Sequence, residues 1–201
     1  MPSTLTNTFF GEMMAGINNA DGLNDIVVSA SSQGDGQVWI IDGTQTGTLT
    51  LGATTGFITR ITGGVIPDQV DGFGRGVVNP AETTEGDVNG DGMTDLVVTG
   101  GFQNTAVDDI RVHVWYGGRI PTGAIDSSTA DYFIQADSSF QSQAFQTQPP
   151  PNHLTWVGDT NGDGLNDLLW SDHSVGGPIV PPATEPYANE GAVELLWDDG
   201  I

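Results

Sequence analysis

The stretch Asp87-Val88-Asn89-Gly90-Asp91-Gly92-Met93-Thr94-Asp95-Leu96-Val97-Val98 holds the reading on which the fold of this 201-residue chain turns. It returns as Asp159-Thr160-Asn161-Gly162-Asp163-Gly164-Leu165-Asn166-Asp167-Leu168-Leu169-Trp170. A reduced copy runs Ile17-Asn18-Asn19-Ala20-Asp21-Gly22-Leu23-Asn24-Asp25-Ile26-Val27-Val28. The offsets are 91 − 21 = 70 and 163 − 91 = 72 residues, the signature of a repeat with one supersecondary unit per copy. A Phe-led element precedes each copy (Phe10-Gly11, Phe73-Gly74, Phe140-Gln141), and a second apolar run follows it. Trp39, Trp115 and Trp197 read as corresponding residues of that second run.

Outward from the loops, the chain punctuates itself as an all-β protein. It has 29 Gly and 11 Pro between short apolar runs rich in β-branched and aromatic residues, and no run keeps a helical period for three turns. Strands are predicted at Asp25–Ser29, Gln37–Ile41, Asp95–Thr99, Arg111–Tyr116, Asp167–Trp170 and Ala192–Trp197. Thr48–Leu51 and Tyr132–Ile134 are expected as outer strands of units 1 and 2. The Pro-rich stretches Pro149–Pro151 and Pro178–Pro186 read as surface loops, and nothing resembles an interdomain linker.

Within the loop, oxygen-bearing side chains stand at positions 1, 3, 5 and 9, and Gly at position 6 lets the chain turn back sharply. A hard cation seeking six to eight oxygens at about 2.3 to 2.6 Å finds them in four side chains, the carbonyl of residue 7 and water, which points to calcium. An EF-hand is excluded, because position 12 is Val98 or Trp170 inside a strand instead of a bidentate Glu. The competing reading is a pair of tight Asn-Gly and Asp-Gly hairpin turns, but two complete loops in one register weigh against it. Unit 1 has Ile17 at position 1, so Asn19, Asp21, Leu23 and Asp25 form a reduced set whose calcium binding is left open.

These residues, Phe-Gly followed by D-x-N-x-D-G-x-x-D and an apolar strand, resemble the FG-GAP repeat of integrin alpha-chain propellers, from about Phe10 to Trp197. The resemblance implies four-stranded antiparallel propeller blades at about 9–71, 72–138 and 139–201, with the calcium loop joining the first two strands of each. It implies as ligands Asp87, Asn89, Asp91, the Met93 carbonyl and Asp95, and likewise Asp159, Asn161, Asp163, the Leu165 carbonyl and Asp167. Three blades are too few for a ring of the family's usual size. Since Ser3–Thr6 resembles Gly47–Thr50, residues 2–8 are expected to supply a missing outer strand, in this chain or in a neighbouring copy.

Charge and composition narrow the function. Four Arg, no Lys and 26 acids give a net charge of −22, which argues against nucleic acid and anionic membranes. With no Cys there are no disulfides or thiol nucleophiles, and neither a signal peptide nor a membrane-spanning run is read. His113, His153 and His173 share no ligand spacing; His113 reads as a partly exposed strand residue, while His153 and His173 read as loop residues. Trp156 and Trp170 read as less regular and open to solvent. Carboxylate pairs such as Asp108-Asp109, Glu82 with Glu85, and Asp198-Asp199 arise by chance among so many acids. The expectation is therefore a non-enzymatic, calcium-binding extracellular or cell-surface module for adhesion or assembly, partnered by protein or by its own copies. Two alternatives are a carbohydrate-active domain like the polysaccharide-lyase propellers, using Arg60, Arg75, Arg111 or Arg119, and a virion or filament surface protein of a halophile.

Overall fold

The structure, a computed structural model, describes residues 10–18, 23–31, 36–49, 51, 56–63, 70–71, 73–74, 76–77, 86–103, 110–135, 153–172 and 192–196. They form an all-β arrangement of three small sheets, none of them closed. In the first, β1 (Phe10–Asn18), β2 (Asn24–Ala30), β3 (Gln37–Ile41) and β4 (Ile58–Thr62) make an antiparallel meander. The second is built on β7 (Leu96–Gln103) and β8 (Ile110–Trp115). The short strands β5 (Val70–Asp71) and β6 (Gly76–Val77) lie on one side of that pair, and β10 (Tyr132–Gln135) on the other. The third sheet is β11 (His153–Gly158), β12 (Asp167–Asp172) and β13 (Ala192–Leu196). A small strand from the second unit, β9 (Ala124–Asp126), joins the first sheet in parallel with β4, pairing Arg60 with Ala124 and Thr62 with Asp126.

Alternation along β7 and β8 explains how the sheets stack. Leu96, Val98 and Trp115 turn one way and pack with Ile17, Val27, Val38, Ile40 and Ile61 of the first sheet. Val97, Val112 and Val114 turn the other way and meet Trp156 and Leu168 of the third. Since side chains alternate with a period of two, one strand pair supplies the core on both its faces. Each such fully buried side chain contributes about 1.5–3 kcal/mol. Phe73 seals the first interface, completely buried and edge-on to Trp115 (centroids 6.1 Å apart) and to His113 (5.6 Å). Its backbone approaches Gly36 so closely that a methyl there would lie 2.2 Å from the Phe73 carbonyl oxygen.

Several expectations change. The outer strand of unit 1 is Ile58–Thr62; Thr48 is exposed and the described residues around it are irregular. Only Thr48–Leu51 alternates, but Ile58 and Ile61 find a core, whereas Leu49 is only half-buried. The likeness that suggested residues 2–8 as an outer strand thereby loses its anchor, and those residues lie outside the described ones, as do Phe140-Gln141, Pro149–Pro151, Pro178–Pro186, His173 and Trp197. The tryptophan equivalence also fails. Leu96 pairs with Trp115 and Ile26 with Ile41, whereas Trp39 pairs with Val28, so Trp39 is equivalent to His113 and stands two residues from the expected position, on the same face of the sheet. His113 is buried, 4 % exposed, and stacks with Trp115, while Trp156 is a core residue.

A candidate metal centre

Unit 2 and unit 3 fold their loops through the same set of hydrogen bonds. The Asp91 N–H donates to Asp87 Oδ1 (3.1 Å) and Asn89 Oδ1 (2.9 Å), the Gly92 N–H to Asp87 Oδ2 (2.7 Å), and the Met93 N–H to Asp91 Oδ1 (2.9 Å). In unit 3 the Asp163 N–H donates to Asp159 Oδ1 (3.1 Å) and Asn161 Oδ1 (2.8 Å). The Gly164 N–H donates to Asp159 Oδ2 (2.9 Å) and the Leu165 N–H to Asp163 Oδ1 (2.8 Å). Asp and Asn side chains turn readily onto backbone two residues on, and here the turns draw positions 1, 3 and 5 onto the inside of one short bend. The bend needs glycine at positions 4 and 6: φ is +73° and +84° at Gly90 and Gly92, and +85° and +91° at Gly162 and Gly164.

Position 9 does something the sequence did not disclose. Asp25, Asp95 and Asp167 are all buried, at 2 %, 1 % and 0 % exposure. The two Asp95 oxygens accept from the Val88 N–H (2.8 Å) and the Gly117 N–H (2.7 Å), fastening the loop to the turn that leaves β8. Asp25 takes the Gly43 N–H (2.9 Å), and Asp167 takes the N–H (2.7 Å) and hydroxyl of Thr160. Gly117 must be glycine for this approach, since a methyl would stand 2.6 Å from the Thr94 carbonyl oxygen. The signal available in advance was a glycine 18 residues after Asp25 and another 22 after Asp95.

Burial pushes the Asp95 carboxyl up to about 7, and the charges of Asp87 and Asp91 add to the rise, against the two backbone donors that favour the ionised form. The three acids of the loop thus feel one another's charge. Even so, among the described residues no three His, Cys, Asp or Glu side chains converge closely enough to hold a metal ion. The carboxylates are turned onto their own backbone. The donor set, two carboxylates, one amide and a buried third acid, is all oxygen, the ligand type a hard cation such as calcium takes. The residues that would hold the ion are Asp87, Asn89, Asp91, the Met93 carbonyl and Asp95, with Asp159, Asn161, Asp163, the Leu165 carbonyl and Asp167 in unit 3.

Unit 1 departs further than its sequence suggested. Ile17 pairs with Asp25 in the β1–β2 ladder and buries its side chain in the core, so position 1 has become a core residue. Leu23 is exposed, and Asn19 and Asp21 lie outside the described residues. Of the basic residues, the Arg60 guanidinium lies 5.7 Å over the Trp39 ring and that of Arg119 5.7 Å over Tyr116; Arg75 is outside the described residues. His153 opens β11 instead of lying in a loop. The carboxylate pairs Asp108-Asp109, Glu82 with Glu85, and Asp198-Asp199 also fall outside. No helix among the described residues is long and apolar enough to cross a membrane. No protein-family model matches the chain, and no curated protein matches it.

Proposed function

We propose that the chain is a calcium-stabilised stack of propeller-type blades, of the FG-GAP kind, serving adhesion or assembly at an extracellular or cell surface. The observation that carries this reading is the shared inward fold of positions 1, 3 and 5 in two loops 72 residues apart. A turn needs no such repetition of carboxylates, whereas a hard cation does. The three sheets packed face to face are the arrangement that blades would have, and the loops of units 2 and 3 occupy the same place in their sheets. Calcium would take the structural part that disulfides play in other extracellular modules, since the chain has no Cys. The function is non-enzymatic in this reading, with a protein partner or further copies of the chain bound at sheet surfaces.

Thermal melting in EGTA and in millimolar calcium tests it. Binding at about 100 times the dissociation constant adds about 2.7 kcal/mol per site, so two filled loops raise the melting temperature by about 10–20 °C. An unchanged melting temperature overturns the proposal.

A further inference from the structure

One end of the first sheet holds a cavity of about 150 Å³, between its core-facing side and the connection from β8 to β9. Cross-strand pairing explains what lines it. Ile17 of β1 stands opposite Asp25 of β2, and Ile40 of β3 opposite Thr59 of β4. Just past β3, the Asp42 N–H donates to the Phe57 carbonyl (3.1 Å) and continues the ladder. Ile120 and Thr122 close the other side. Gly56, Phe57 and Thr122 are exposed and form the mouth, whereas Ile17, Asp25, Ile40 and Thr59 are buried.

The walls divide by chemistry. Ile17, Ile40, Phe57 and Ile120 give apolar surface; Asp25, Asp42, Thr59 and Thr122 give oxygen, and none of the described residues lining the cavity is basic. The Thr44 hydroxyl and N–H (2.8 Å) bond to Asp42 and keep its carboxyl below the usual range, so it is a carboxylate. Asp25 accepts the Gly43 N–H (2.9 Å) on one oxygen. The Thr59 hydroxyl accepts the Gly123 N–H (3.3 Å), and its second lone pair suits another donor. Two acids on neighbouring strands repel each other unless a cation joins them. A bare metal ion matches poorly, because much of the wall is apolar and no three acids converge among the described residues. A primary ammonium on an alkyl stem matches both halves, with three N–H donors, no acceptor and carbon to bury. A cavity of about this size in other proteins takes a ligand of about six heavy atoms, the scale of a pentylamine or a lysine side chain.

We propose that this cavity binds a primary alkylammonium group, supplied by a free amine or by a lysine of a partner protein. Asp42 and Asp25 hold the charge, and the isoleucines and Phe57 hold the stem. A second copy of the chain has no Lys to offer. The proposal is independent of the calcium reading, since the unit 2 and unit 3 loops form none of these walls.

Calorimetric titration of the full chain tests it, in about 0.1 M NaCl to screen the acidic surface. n-Pentylammonium should bind at one site, and its neutral counterpart n-pentanol at least about tenfold more weakly. Asp42→Asn should weaken the ammonium by about tenfold. Thr122→Trp, which narrows the mouth, should weaken both ligands, and circular dichroism checks that each variant folds. A blocked pentapeptide with a central lysine separates the sources: tighter binding of the peptide assigns the site to a partner protein, and tighter binding of n-pentylammonium to a free amine. No binding, equal binding of n-pentanol, or binding unaltered in both variants overturns the proposal. So does displacement of the amine by millimolar calcium, which would make this a metal site. None of these outcomes bears on the melting shift that tests the calcium-filled loops.

Discussion

At the scale of single residues, the two kinds of acid in the loop are separable by experiment. Asp91 bends its own loop at the surface, whereas Asp95 is buried with both oxygens accepting backbone N–H groups. Asp95→Asn keeps one acceptor and turns an amide donor toward a backbone donor. It should lower stability in EDTA by about 1.5–3 kcal/mol, read from urea melts. Asp91→Asn should cost well under 1 kcal/mol in EDTA, yet abolish most of the stabilisation that calcium gives. The Asp95 carboxyl also sets a direction for pH. It is raised from 3.8 to about 7, so the folded metal-free chain keeps a proton that the unfolded chain has released. Its contribution is complete below about pH 4 and is lost as pH rises through about 7. Melts in EDTA between pH 4 and 8 should show stability falling over that window, with a shallower fall in Asp95→Asn.

Between loop and strand, Gly117→Ala should cost about 1–3 kcal/mol, because the new methyl must displace the Thr94 carbonyl. Denaturant melts of this variant with and without calcium check it, and the loss should persist in both. How far such elements were legible depends on whether their cause is local. Gln37–Ile41 was readable residue for residue and Tyr132–Ile134 nearly so, because β-branched and aromatic runs between turn residues carry their own signal. Thr48–Leu51 alternates cleanly while Ile58–Thr62 has its two isoleucines three apart, so pattern alone favoured the wrong segment and the core beneath Ile61 decides between them. The two-residue shift between Trp39 and Trp115 was hidden because register is set by pairing across the sheet. The loops were legible as a spacing of oxygens. The clasp at position 9 was not, since an aspartate looks the same in sequence whether it faces an ion or a backbone amide.

On the scale of the whole molecule, the stacked sheets make stability a shared property. Phe73 serves both sides of the first interface, so Phe73→Ala should cost about 3–5 kcal/mol and lower the melting of the first two sheets together, as a single transition by calorimetry. Equilibrium dialysis at millimolar calcium should count two ions per chain and not three, since the unit 1 position 1 is spent on the core. The parallel pairing of β9 with β4 ties two distant parts of the chain together. It joins residues more than sixty positions apart, and the Ser127 hydroxyl adds a bond to the Gly63 carbonyl (2.6 Å). Everything between those strands is a closed loop in the topological sense. A protease that nicks the chain between Gly63 and Gly123 should therefore yield two fragments that stay together under native conditions and part only in denaturant.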